Sequence, residues 1–157
     1  VPVSGDFGAL AKIQGQIAHL PTEGKIRVIR ACAQEGRLLV EEGFEAGKAP
    51  SGAPWAPVRR GGQPLRDTGR LLASLTPKVS AAGFAIESTV AYAGVHQYGA
   101  TVTAKKGRSL GTPKAGWFGV KVVIPARPFL PDGNALPGPW ETRLTEAAED
   151  ALDAFFR

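Results

Sequence analysis

The sequence predicts an α+β fold: an antiparallel β-sheet packed with N-terminal and C-terminal helices and joined by long loops. Three observations carry this reading. Apolar residues recur at three- and four-residue steps near both ends of the chain, the period of one helix face. Between them apolar and polar residues alternate, the period of a half-buried strand. The 20 glycines and 13 prolines among 157 residues also require many turns and bent strands. Helices flanking a strand-rich middle predict helix-on-sheet packing. We read residues 1–157 as one domain, long enough to bury a core without covalent staples. Its parts are a helical region over 1–47, a Pro/Gly connector over 48–66, a short helix plus sheet over 67–130 with a loop at 99–118, and a C-terminal helix over 139–157.

The elements follow in order. Phe7, Leu10, Ile13, Ile17 and Leu20 mark a first helical stripe, with Ser4 or Asp6 as its N-cap and Pro21 as its stop. Thr22 is the expected N-cap of a second helix, whose stripe runs through Ile26, Ile29, Ala33, Val40 and Phe44 to Gly47, a suitable residue just past its end. Gly24, Gly36 and Gly43 each weaken that helix by about 0.8–1 kcal/mol relative to Ala, so packing must hold it. Lys48–Pro64 is too rich in proline and glycine for a helix or a central strand and reads as an extended connector. Asp67-Thr68-Gly69 caps a short helix carrying Leu71, Leu72 and Leu75. Val79, Phe84, Ile86, Ser88 and Val90 alternate across Gly83 as a hairpin or two strands, and Ala91–Tyr98 suits one or two helical turns. Residues 99–118 show little periodicity and read as a long loop, a feature compact domains keep when it has a job. Gly119–Ile124 reads as a strand. Trp140, Leu144, Ala148, Ala151, Leu152 and Phe155 form the last stripe, entered through Pro139.

Charge is unevenly placed. Residues 1–47 hold five Lys/Arg against six Asp/Glu, or −1. Residues 48–130 hold twelve against two, or +10, and residues 131–157 hold two against six, or −4. A basic middle between acidic ends suits a nucleic-acid face or head-to-tail contact between copies of one chain. Catalytic patterns are missing: no phosphate-binding Gly-rich loop, no HExxH, no GxSxG. Glu41 and Glu42 are helix neighbours that point apart. Cys32 is the only cysteine, His19 and His96 are the only histidines, and no metal-ligand spacing joins them. We therefore expect no enzyme activity, metal or cofactor. No apolar run approaches the roughly 18–20 residues of a membrane span, and no secretory signal pattern opens the chain, so synthesis in the cytosol and no membrane partner are expected.

Four stretches of the middle block are recognisable together. They are Phe44 with Pro50-Ser51-Gly52-Ala53-Pro54-Trp55-Ala56-Pro57; Pro64-Leu65 with Thr68-Gly69, Leu71, Ser74 and Leu75; Tyr92-Ala93, Val95-His96-Gln97 and Gly99-Ala100; and Ala126-Arg127-Pro128-Phe129-Leu130. In that order and spacing, over about residues 44–130, the chain resembles the virion morphogenesis (tail-completion) proteins of Mu-like and related tailed bacteriophages. The resemblance implies a structural virion protein at the neck or tail end, a ring of six copies that completes the tail and joins it to the head. Its implied partners are further copies of itself, head-connector or adaptor proteins, tail-tube proteins and the genomic DNA passing through the channel. The alternative is a basic nucleic-acid-binding domain.

Scaffold and interface candidates follow from those stretches. Trp55 would pin the connector, Gly69 would permit a tight helix start, and Tyr92 and His96, four apart, would share a helix face. Arg127, framed by Ala126 and Pro128, is suited to a carboxylate within or between subunits, and Phe129 lies beside it. Lys105, Lys106 and Arg108 make the loop 99–118 a candidate for docking another ring, contacting DNA or facing solvent.

Overall fold

The computed structural model describes residues 3–6, 15–105, 110–112, 117–119, 121–132 and 136–157. Helix α1 spans Thr22–Ala46 and buries Val28, Ile29, Cys32, Leu39, Val40 and Phe44 along one side. Pro21, not Thr22, holds the N-cap position, without a side-chain cap. Its extended backbone turns the chain in, and its carbonyl accepts the first helical bond from the Lys25 amide at 3.0 Å. At the other end Gly47 adopts the left-handed conformation expected of it, with φ 67°. The side-chain amide of Gln63 donates to the Phe44 and Glu45 carbonyls at 2.6 and 2.7 Å. It thereby satisfies acceptors that a helix end leaves open.

The glycines inside α1 have a packing reason. A Cβ at Gly24 would stand 3.1 Å from the Phe155 ring, and one at Gly36 would stand 3.1 Å from the Phe84 ring. Helix propensity is given up so that aromatic rings from two directions can lie on the helix. Both directions are regular elements. Helix α2 (Arg70–Ser74) leads into strand β2 (Leu75–Ser80), which forms a hairpin with β3 (Gly83–Ser88). Leu75 and Ile86 are buried beneath α1, and the Ser74 and Ser88 hydroxyls share a 2.7 Å hydrogen bond.

Residues 3–6 depart from the expectation of a helix start. Val3–Asp6 is strand β1, antiparallel to β3, giving the order β1-β3-β2. An uncovered edge of β3 would leave backbone groups without partners, and β1 supplies them. The expected first helix falls largely on residues 7–14, outside the described residues; residues 15–17 are helical and Ile17 is buried.

The long loop is likewise corrected. Within 99–118 lie β4 (Ala100–Thr103) and β5 (Leu110–Thr112), and β6 (Trp117–Gly119) begins there. Strand β7 (Lys121–Ile124) pairs with β4, placing Val102 opposite Val122, while β5 pairs with β6. The β-branched run Thr101-Val102-Thr103 fits a pleated surface, but four residues are too few to show a period. The strand expected over Gly119–Ile124 is divided between two ladders for the same reason. Helix α3 spans Ala93–Tyr98 and helix α4 spans Gly138–Phe156. Trp140, Leu144 and Ala148 of α4 are buried, and the helix is fastened to α1 by Arg143, which reaches Glu35 and Glu42 at 2.5 Å each. The architecture is α+β.

Candidate functional site

Three of the four recognisable stretches, far apart in sequence, meet in one place, and the second faces them across a cleft. Trp55 is 6% exposed and its ring meets Phe44 edge-on at 5.3 Å between centroids. Its indole N–H donates to the Pro128 carbonyl at 2.7 Å. The connector that carries it is a tight turn followed by extended chain: Ala49 N–H bonds Ala53 O at 2.8 Å, and Trp55 N–H bonds Gly47 O at 2.9 Å. Prolines fix φ and remove donors, so a chain of this kind needs outside partners to hold its course.

Arg127 provides them. Its Nε donates to the Ala56 carbonyl at 2.7 Å and its Nη2 to the Pro57 carbonyl at 3.0 Å. The side chain is 5% exposed, and burial lowers its pKa from the ordinary guanidinium value. The expected carboxylate partner is replaced by backbone oxygens, because a proline-rich connector leaves carbonyls without matching N–H groups. Phe129, next in the same segment, is buried and packs on Phe44 at 5.6 Å.

Gln97 closes the arrangement, and sequence reasoning gave it no role. Buried to 1% exposure, it accepts from the Phe129 and Leu130 amides at 3.0 and 3.1 Å. Its own amide donates to the Leu130 carbonyl at 2.7 Å. A glutamine among apolar neighbours in VHQYG is the signal that was available: such a residue stays buried only when satisfied. The Arg127 amide adds a bond to His96 O at 2.7 Å. Gly99, with φ 74°, lies so close that a Cβ would sit 2.9 Å from Ala126 N. Helix α3 and segment 126–130 are thus laced together, and Trp55 and Arg127 tie the connector to both.

The remaining candidates are more peripheral. Gly69 has φ 74° at the start of α2, with open space around it. Tyr92 is half-exposed and meets the His96 ring edge-on at 5.7 Å. Burial, and then the charge of Arg127, lower the His96 pKa from 6.5. Its Nδ1 is buried without a hydrogen-bond partner among the described residues. Lys105 is exposed, whereas Lys106 and Arg108 lie outside the described residues.

Two clefts among the described residues adjoin the Val58–Arg60 stretch of the connector. One, about 360 Å³, lies between Val58–Arg60 and the start of α2, lined by Thr68, Arg70, Tyr92 and Arg127 among others. Asp67 at its edge pairs with Arg60 at 2.6 Å. The other, about 750 Å³, lies between Pro57–Arg60 and the β4–β7 ladder and is lined chiefly by apolar residues. Cys32 is buried beside α4, and burial pushes its thiol up to about 11, so it packs as a small apolar group. Among the described residues no three His, Cys, Asp or Glu side chains gather as metal ligands. None of the described helices is long and apolar enough to cross a membrane.

Comparisons with known proteins converge on the same stretch of chain. Residues 6–137 match the phage virion morphogenesis family. The "Mu-like prophage FluMu G protein 2" of Haemophilus influenzae is 32% identical over 123 residues, covering 78% of this chain and 73% of that protein. No solved structure matches the chain. With three of its recognisable stretches laced together inside the matched region, the chain belongs to the phage virion morphogenesis family.

Proposed function

We propose that this protein is a non-enzymatic subunit of the phage neck or tail end, one of six copies in a ring that completes the tail and joins it to the head. Family membership over residues 6–137 supports an assembly role in the virion. The observation that favours a ring is the separation of charge between two parts of one subunit. The connector side exposes Arg59, Arg60, Arg66 and Arg70, while α4 exposes Glu141, Glu146, Glu149, Asp150 and Asp153. A surface of one sign meeting a different surface of the other sign is a heterologous contact, and such contacts close into rings when the rotation permits. The laced centre of Trp55, Gln97 and Arg127 keeps the connector in a fixed position for that contact.

In this reading the ring's partners are the head-connector or adaptor protein on one side and the tail tube on the other, with the genome passing through its channel. Lys105, Lys106 and Arg108 reach the adjacent ring. A phage in which all three are replaced by Ser is expected to yield separate DNA-filled heads and tails from a folded subunit. Whole particles with altered DNA ejection would place these residues in the channel instead. Normal infectivity would leave them facing solvent.

The +10 charge over residues 48–130 also favours a second reading, a basic nucleic-acid-binding domain. Several of those cations are engaged inside the subunit, Arg127 on carbonyls, Arg60 with Asp67 and Arg66 with Gln63. A free binder would lose DNA affinity steeply with added salt. Electron microscopy of particles from a phage lacking this gene separates the two: the ring reading predicts unjoined heads and tails, and joined, filled particles would overturn it.

A further inference from the structure

We propose that the outer face of α4 of one copy docks into the 750 Å³ cleft of the next copy, with Phe156 as its apolar anchor. This rests on the ring reading above and names the two surfaces that would form its repeated contact.

The donor surface is set by helix geometry. Leu144 and Ala148 face α1, and Arg143 clamps the helix there through Glu35 and Glu42. Glu146, Glu149, Asp150 and Asp153 consequently stand outward, three or four residues apart on one stripe. The same stripe ends in Phe156, which is 73% exposed, the largest exposure of any large apolar residue described. An acidic row ending in an exposed aromatic ring, touched edge-on by its neighbour Phe155, asks for a partner with an apolar pocket beside cations.

The acceptor surface has that composition. Val102, Val122 and Ile124 line the ladder side of the cleft, with Pro57 and Val58 opposite. Arg59 and Arg60 stand on the connector side, and Arg59 has no ion-pair partner among the described residues. The volume of about 750 Å³ is ample for an aromatic side chain and part of a helical turn. None of the cleft's lining residues comes from α4. Since α4 is fastened to its own α1, a second copy is the occupant that matches both the charge and the apolar end. Each copy then offers one donor face and one cleft, the arrangement that propagates around an axis.

The test uses cysteine pairs in assembled particles. Cys32 is buried with its thiol held up to about 11 and stays silent to oxidation. With Phe156→Cys and Val58→Cys in one chain, oxidation is expected to give a ladder of disulfide-linked multimers, absent from either single variant. A second arm uses charge. Asp150→Arg with Asp153→Arg should cut infectious yield at least about tenfold, as should Arg59→Glu, and combining them should restore it. A ladder with charge rescue upholds the docking. Particles in which amine cross-linking still captures multimers, but which give neither ladder nor rescue, overturn the docking and leave the ring standing. Particles with no multimers by either chemistry overturn both.

Discussion

Removing the Trp55 side chain tests whether the connector is pinned as described. Trp55→Ala deletes a ring that is 6% exposed, takes an edge-on contact away from Phe44, and leaves the Pro128 carbonyl without its 2.7 Å donor. Truncation of a buried tryptophan costs about 3–5 kcal/mol. Trp55→Phe keeps most of the apolar ring but loses the indole N–H, so about 1–2 kcal/mol is expected from the unsatisfied carbonyl. For a domain of this size each kcal/mol lowers the melting temperature by about 2–4 °C. The expected order of thermal melting is therefore wild type, then Phe about 2–8 °C lower, then Ala about 6–20 °C lower. Calorimetry on the three purified proteins reads this directly. An Ala variant that melts with the wild type would refute the pinning, and a Phe variant as damaged as Ala would assign the whole effect to the hydrogen bond.

Three further outcomes are expected. Gly99→Ala forces a Cβ to within 2.9 Å of Ala126 N and 3.0 Å of Ile124 O at a φ of 74°. Urea titration should show a loss above the ~1–3 kcal/mol of backbone strain alone, and more than Gly52→Ala, whose Cβ meets nothing within 4 Å. His96 has a folded pKa below its ordinary 6.5, so the unfolded chain takes up a proton that the native ring refuses. Stability should fall as pH drops through 6.5 and level off below the folded pKa, and His96→Asn should flatten that slope in melting curves. A double-mutant cycle of Arg143→Ala with Glu35→Ala should give a coupling of only about 0.5–1 kcal/mol, because Arg143 is partly solvated, and the coupling should shrink in high salt.

Much of this fold was legible because long periodic segments leave strong marks. Helix α1 and helix α4 span about the residues their apolar stripes predict, and Gly47 ends α1 in the conformation a glycine there implies. The β2–β3 hairpin was readable from alternation across Gly83. Short strands were not. Val3–Asp6 and Ala100–Thr103 are four residues each, and their pairing is decided by distant edges that a local pattern cannot report.

The site divides along the same line. Trp55 and its proline frame announced a pinned connector, and Tyr92 and His96 do meet ring to ring. Arg127 was singled out for a carboxylate, whereas its partners are the Ala56 and Pro57 carbonyls, some seventy residues away. Gln97 stood within a recognisable stretch but was given no role, because a glutamine's role depends on which backbone groups come within reach, and those belong to another segment. The glycines of α1, read as weak points, are the places where Phe155 and Phe84 come closest. Propensity alone shows what a residue costs its helix, and only the tertiary contact shows what the cost permits.

We propose that copies of this chain form a closed ring at the tail end of the virion. A cryo-electron microscopy reconstruction of the intact particle tests it most directly. A closed ring should appear as density for this subunit repeated around the tail axis between head connector and tail tube, each copy touching two others of its kind. Isolated single copies without such neighbours, or no copy at the neck or tail end, would contradict it.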